Sequence, residues 1–108
     1  MNATLTDPEV PASPSASELE MRRVRDLAKA GQHAPALEAA QALVAKEPEN
    51  RDALHLVALS QRLLGRIADA LATLERLERI HPGYSRLCQE RGHCYVALRD
   101  APRAIEAF

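Results

Sequence analysis

Residues 51–84 read RDALHLVALSQRLLGRIADALATLERLERIHPGY, and residues 17–50 read SELEMRRVRDLAKAGQHAPALEAAQALVAKEPEN. Aligned over their 34 positions, the two stretches share a glycine, an alanine and a proline: Gly31 and Gly65, Ala36 and Ala70, Pro48 and Pro82. A fixed period of this length on a helical hydrophobic pattern is typical of stacked helix-turn-helix units. The period predicts an all-α solenoid of antiparallel hairpins.

A third, partial unit follows at residues 85–108, where Ala104 continues the alanine series at the same spacing. We therefore expect a repeat domain over 17–108, divided into 17–50, 51–84 and 85–108. Repeat arrays need about three units and a polar end. Because the third unit stops early, we expect an open apolar end at Leu98, Ile105 and Phe108 that downstream repeats or self-association would cover.

Residues 1–16 differ from the rest of the chain in composition. They contain Pro8, Pro11 and Pro14 among Ser, Thr and Ala, and they lack periodic apolar residues. Such a segment cannot bury enough surface to offset its ordering entropy. The composition predicts a disordered lead-in.

Charge and hydropathy exclude several classes of function. The formal net charge of −1 provides no field to attract nucleic acid or an anionic membrane. No apolar run approaches 18 residues, and no charged start precedes an apolar stretch, which argues against membrane insertion and secretion. We expect a cytoplasmic protein.

Cys88 and Cys94 would lie roughly 9 Å apart along one helix and about 120° around it, so free thiols are predicted.

Capping and breaking residues predict six helices in three hairpins. Ser17 and Glu20 have capping-box spacing, Gly31 and Gly65 end the first helix of their hairpins, and Asp100 caps the last helix. The predicted helices span 18–30, 34–46, 51–64, 67–80, 85–98 and 101–108.

The repeated alanines predict where helices cross. A methyl group at Ala36, Ala70 and Ala104 lets two backbones approach closely. Tyr95 and Phe108 are expected to fill the space between hairpins, as Leu27 and Leu74 do in the earlier units, although Gln61 stands at the position equivalent to Tyr95. The structural repeat positions are Gly31, Ala36, Pro48, Gly65, Ala70, Pro82, Gly92, Tyr95, Ala104 and Phe108.

On these residues the sequence resembles tetratricopeptide repeat proteins over 17–108. The resemblance implies a protein-interaction module without catalytic residues or cofactors. Three positions depart from the family, which tends to have a large aromatic residue where this chain has Glu20, Leu54 and Cys88. The first hairpin matches least, since Val24 stands where small residues are usual.

Residues 89–108, QERGHCYVALRDAPRAIEAF, also resemble the amino-terminal repeats of large bacterial proteins that end in a sulfotransferase domain. That resemblance implies an alternative in which this chain presents or selects the acceptor for an enzyme domain beyond Phe108. No catalytic residue is carried over onto this sequence. If the sequence after Phe108 led through further repeats into a phosphate-binding loop, the enzyme interpretation would be favoured. If it led into a polar capping helix, an adaptor or scaffold would be favoured.

Two groups of residues have part of the spacing that a metal site requires, but neither is complete. Glu90 and His93 have the spacing of half a carboxylate di-iron site, but a second copy and two facing carboxylates are needed. Cys88, His93 and Cys94 lack the Cys-x-x-Cys spacing of a zinc site. We therefore predict no metal, and we interpret both cysteines as buried packing thiols.

In the family, the first helices of successive hairpins line a concave groove. Carried onto this register, the partner-binding positions are Met21, Arg25, His55, Leu59, Arg62, Arg86, Gln89 and His93. This set leans basic, which predicts an acidic peptide or protein partner, since arginine matches carboxylate geometry. The alternative is that Arg25, Arg62 and Arg86 are ordinary solvated residues. Some members of the family bind the carboxyl termini of chaperones through a clamp of charged and amide side chains. Of the clamp positions in this sequence, only Arg86 keeps the charge, which argues against chaperone binding.

Overall fold

The computed structural model describes residues 15–99, which form five α-helices and no strand. The helices are α1 (Ala16–Lys29), α2 (His33–Lys46), α3 (Arg51–Leu63), α4 (Ile67–Ile80) and α5 (Ser85–Arg99). The prediction of an all-α chain is confirmed, with every described helix end within two residues of its predicted place. The predicted sixth helix, with Ala104 and Phe108, lies outside the described residues.

Helix α1 begins two residues earlier than predicted. The capping box is formed by Ser15 and Glu18, not by Ser17 and Glu20. Both pairs have the required spacing, but the earlier start leaves Ser17 free to donate a hydrogen bond to Glu47, the C-cap residue of α2. Glu20 is likewise free to pair with Lys46 at 2.9 Å. Contacts between α1 and α2 thus favour the earlier cap.

The turns inside the two complete hairpins are built alike. Gly31 and Gly65 have φ of 79° and 82°, a left-handed conformation that L side chains disfavour. In each turn the amide after the glycine donates to a carbonyl five residues back, Gln32 to Leu27 at 2.9 Å and Arg66 to Gln61 at 2.8 Å. The shared period therefore corresponds to a shared turn geometry.

Helix α3 is the centre of the packing, because it contacts each of the other four helices. Its Leu56 and Val57 belong to a core cluster with α1 and α2, and its Leu54 and Ala58 belong to a second cluster with α4 and α5. Helices α1, α3 and α5 also contact one another in sequence, which aligns the first helices of successive hairpins side by side.

The two described alanines of the predicted helix crossings lie in the core. Ala36 and Ala70 are completely buried, each at the start of the second helix of its hairpin. A larger side chain at either position would push the paired helices apart.

Two packing predictions on α5 are wrong. Cys94 is buried, but Cys88 is exposed, since residues six apart on one helix point about 120° apart and only one of them faces α3 and α4. Both thiols are free, as predicted. Tyr95 does not fill a space between hairpins within the described residues, because it lies next to Cys94 on the outer side and is 53% exposed. Leu74, by contrast, is fully buried.

Candidate protein-binding face

The predicted partner-binding positions differ widely in exposure. Met21 is buried in the first core cluster, and Leu59 packs against the same cluster. His55 and Arg62 are half-buried. The remaining four are exposed: Arg25, Arg86, Gln89 and His93. Met21 and Leu59, both predicted for the groove, therefore contribute to the core.

A cleft of about 410 Å³ separates α1 from the start of α3. Its lining residues are Ser17, Glu18, Met21, Arg22, Arg25, Asn50 and Asp52. Asn50 is fixed there because its side chain accepts a hydrogen bond from the Ala53 amide and caps α3. The cleft brings Met21 and Arg25, both predicted, together with Arg22 and Asp52, which sequence reasoning missed.

Tyr84 connects this cleft to the start of α5. Its hydroxyl donates to Asp52 Oδ1 at 3.2 Å, and the Arg51 guanidinium lies 4.7 Å from its ring centroid. The His55 ring meets the Tyr84 ring edge-on, with centroids 6.1 Å apart. Burial and the neighbouring Asp52 carboxylate both raise the pKa of Tyr84, so its hydroxyl remains a donor at neutral pH.

Sequence reasoning did not select Tyr84 as a functional residue, although a signal was present. It is the sole aromatic residue of the unit 51–84, and it follows the helix break at Pro82 and Gly83. We call Arg51, Asp52, His55 and Tyr84 the tyrosine cluster.

Arg62 does not stand as a free cation on this face. It forms a two-point ion pair with Glu90 of α5, which includes a contact from Arg62 Nη2 to Glu90 Oε1 at 3.5 Å. The side chains are 18% and 4% exposed, so most of the pair is removed from water. Arg62 therefore contributes little positive charge to the surface, contrary to the predicted basic set.

His55 lies between charges of both signs. Burial is the main cause that lowers its pKa, and Arg86 and Arg62 lower it further, while Glu90 and Asp52 act in the opposite direction. The imidazole is consequently neutral at pH 7. Arg86 lies on α5 and Arg62 on α3, and both lower the pKa of His55. Charges on both helices therefore influence the tyrosine cluster.

Three arginines on this face have no carboxylate partner among the described residues. Within residues 15–99, Arg22, Arg25 and Arg86 form no ion pair. The nearby carboxylates accept hydrogen bonds, but of the three named next only Glu90 is neutralised by a buried cation. Glu18 accepts from the Ser15 amide, Asp52 from Tyr84, and Glu90 from Arg62: these contacts hold them in place.

The described part of the chain contains neither a metal-ligating cluster nor a helix suited to span a membrane. Residues 15–99 contain no group of three His, Cys, Asp or Glu residues placed to hold a metal ion. Glu90, half of the disfavoured di-iron pair, is bound to Arg62, and His93 is exposed. None of the five helices combines the length and apolar character that crossing a bilayer requires.

Comparison with known proteins places the central hairpin in a family. Residues 52–84, which include α3, α4 and the loop to Tyr84, match the family model described as tetratricopeptide repeat. A search of curated proteins found no match. The sulfotransferase resemblance, the cytoplasmic location and the self-association therefore stay predictions. Repeats of this family are typically non-catalytic and serve as protein-interaction modules. The match over residues 52–84 and the helical-hairpin architecture together support a tetratricopeptide repeat protein.

Proposed function

We propose that the face formed by α1, α3 and α5 binds an extended acidic segment of a protein partner. The observation that carries the proposal is that three arginines there, Arg22, Arg25 and Arg86, form no ion pair within residues 15–99, whereas Glu90 is held by Arg62. A guanidinium offers a planar fork of donors that suits a carboxylate. The proposal thus keeps Arg25 and Arg86 from the predicted set and replaces Arg62 with Arg22.

The tyrosine cluster supports a second element of recognition. Aromatic and arginine side chains dominate the binding energy of many protein interfaces. Tyr84 is already held by Asp52, Arg51 and His55, so it would lose little further freedom on binding. We assign it the role of an apolar contact between the acidic positions of the ligand.

The test is an array of ten-residue peptides in which Asp and Glu alternate with apolar residues, beside matched peptides with Asn and Gln. We expect binding of the acidic set alone, weakened by high salt. Arg25→Glu/Arg86→Glu should reduce affinity at least tenfold, because each reversal replaces attraction with repulsion.

The matched control is Arg76→Glu/Arg79→Glu, which makes the same charge change on exposed positions of α4. Equal loss in the control and the test variant would mean that overall charge, and not this face, governs binding. Equal binding of the acidic and amide peptides would mean that the arginines are ordinary solvated residues, and the proposal would be abandoned.

A further inference from the structure

We propose that a second cleft, between α2 and α4, binds a small aliphatic carboxylate. The cleft has a volume of about 440 Å³, and it shares no lining residue with the cleft beside α1 or with the predicted partner-binding set. Its lining residues are Gln41, Val44, Ala45, Pro48, Leu54, Val57, Gln61, Thr73 and Arg76. The inference goes beyond the proposed function and does not depend on it.

Gln61 is the unusual residue of this cleft. It stands at the repeat position that Leu27 and Tyr95 occupy in the other units, where an apolar side chain is expected to fill the space between hairpins. In this unit the position holds a polar side chain, and Gln61 is only 8% exposed. Because a buried amide without hydrogen bonds costs free energy, each half of the Gln61 amide needs a partner.

One half of the Gln61 amide has a partner, and the other half does not. Its Oε1 accepts a hydrogen bond from Thr73 Oγ1 at 2.7 Å, and this is the one hydrogen bond of the Gln61 side chain within residues 15–99. Nε2 keeps contact with solvent, because the fully enclosed side-chain atoms without a partner in this part of the chain are His33 Nδ1 and Ser60 Oγ. The amide therefore presents N–H donors to the cleft that Gln61 lines.

Arg76 supplies a positive charge to the same cleft. It is exposed and forms no ion pair within residues 15–99. No Asp or Glu lines the cleft. The positions three and four residues away from Arg76 on α4, which share its helix face, are also free of carboxylates: they are Ala72, Thr73, Arg79 and Ile80. The charge of Arg76 is therefore not compensated by any residue that lines the cleft.

The polar groups lie toward one end of the cleft. Arg76 follows Thr73 by one turn of α4, and a long helical side chain leans back over the preceding turn, so the guanidinium extends toward the Gln61–Thr73 contact. Short loops join α2 to α3 and α3 to α4, so consecutive helices run antiparallel, and Gln41 is the lining residue of α2 nearest to this end. The other end is apolar.

This arrangement indicates the chemistry of the ligand. Small-molecule sites are typically clefts of about 300–1,000 Å³ with apolar walls and a few polar groups that fix orientation. A carboxylate can accept from the Gln61 amide and pair with the Arg76 guanidinium, while its alkyl chain covers Leu54 and Val57, which form the buried apolar wall. An extended peptide has a donor and an acceptor at nearly every residue, and the apolar end offers these groups no partners. A free short-chain carboxylate therefore suits the cleft better than a peptide does.

The test is a nuclear magnetic resonance titration of the full chain with sodium hexanoate at constant ionic strength. Hexanamide, which has a similar shape without the charge, is titrated beside it. We expect hexanoate to shift the backbone amides of Val44, Val57 and Thr73 and the side-chain amide of Gln61. Hexanamide should bind about fivefold more weakly, because it cannot pair with Arg76. Equal binding of the two compounds would overturn the proposal, and so would hexanoate shifts confined to the α1, α3 and α5 face.

Two variants assign the binding to these side chains. Arg76→Gln should weaken hexanoate binding about fivefold, as expected for loss of a partly exposed ion pair. The matched control is Arg79→Gln, which removes the same charge from α4 outside the cleft and should leave the affinity unchanged. Equal affinities of Arg76→Gln and Arg79→Gln would overturn the proposal.

The second variant, Gln61→Leu, removes the amide donors. It should retain the fold, because Leu27 stands at the equivalent position of the first unit and Thr73 keeps its hydrogen bond to the Asp69 carbonyl at 3.0 Å. Circular dichroism checks the fold. Hexanoate affinity should fall by a factor similar to that in Arg76→Gln, since a hydrogen bond to a charged group is lost. Unchanged affinity in folded Gln61→Leu would overturn the role of the amide and the proposal with it.

Peptides separate this site from the proposed protein-binding face. A peptide that ends in leucine with a free carboxylate and shifts the cleft amides when hexanoate does not would overturn the assignment to a small molecule. Arg76→Gln should leave the affinity for acidic peptides unchanged, and a loss would place those peptides in this cleft and overturn the assignment as well. Hexanoate binding without acidic-peptide binding would refute the proposed function alone. Acidic-peptide binding without hexanoate binding would refute this site alone.

Discussion

Arg62 on α3 and Glu90 on α5 form an ion pair that is largely buried between two successive hairpins. A buried pair of this kind adds little net stability compared with apolar residues of the same shape, but removal of one partner leaves a charge without compensation. Because α3 and α5 both belong to the proposed binding face, the pair also sets how the two helices present that face.

We predict that Arg62→Ala destabilises the chain by about 3 kcal/mol, because Glu90 would remain buried without its partner. Urea unfolding followed by circular dichroism measures the change. The double variant Arg62→Met/Glu90→Leu should recover most of the loss, since it removes both charges. A double variant no more stable than Arg62→Ala would show that packing, and not charge, dominates at this contact.

His55 should make stability depend on pH. Its pKa in the folded chain is lowered from the ordinary value of 6.5, with burial as the main cause. In the window below pH 6.5, the unfolded chain therefore binds a proton that the folded chain resists, so acid favours unfolding. The loss begins as the pH falls through 6.5 and levels off once folded His55 is also protonated.

Unfolding free energies of the wild type and His55→Gln, measured from pH 8 to pH 5, test this dependence. The wild type should lose more stability than the variant as the pH falls through 6.5, because glutamine does not titrate. The groups that face His55 are Tyr84 and the charged Asp52, Arg62, Arg86 and Glu90, and all of them remain in the variant. Parallel curves for the two proteins would contradict the prediction.

Two glycines should respond in opposite directions to alanine. Gly65 has φ of +82°, so Gly65→Ala should cost about 1 kcal/mol through backbone strain, although no atom lies within 4 Å of the added methyl group. Gly92 lies inside α5 with the same open space and no positive φ, so Gly92→Ala should stabilise by about 0.5–1 kcal/mol. Thermal melts of both variants provide the comparison. If both substitutions stabilised the chain, or both destabilised it, the explanation from backbone conformation would be contradicted.

The two thiols should differ in reactivity. Cys88 is exposed, whereas Cys94 is buried, and burial together with the Glu90 carboxylate raises the pKa of Cys94. Since the thiolate is the reactive form, a disulfide reagent should modify one thiol quickly in the native chain and both after denaturation. Cys88→Ser should abolish the fast phase. If the fast phase persists in that variant, Cys94 is accessible in solution.

Much of the fold could be predicted because its signals are local. Gly31 and Gly65 mark turns through a backbone conformation that few other residues tolerate, and Ala36 and Ala70 mark crossings through their small size. The capping box was misplaced because Ser15 and Ser17 both have a glutamate three residues later. Contacts of Ser17 and Glu20 with α2 decide between them, and those contacts are not visible in the local pattern.

The binding face was harder to predict, because the position of a residue within the 34-residue repeat does not determine which side chains it contacts. Arg62 and Arg86 look alike in sequence, yet Arg62 is paired with Glu90, and Arg86 has no ion pair within residues 15–99. Cys88 and Cys94 look alike too, but only Cys94 faces α3 and α4.

By itself, the sequence determined the helical hairpins and their 34-residue period, because turns, caps and amphipathic spacing act over a few residues. The tertiary structure alone decided which charges are available on the α1, α3 and α5 face. Whether an arginine meets a carboxylate depends on side chains from different hairpins. Arg62 and Glu90 are 28 residues apart in the chain, and only the packing of α3 on α5 brings them together.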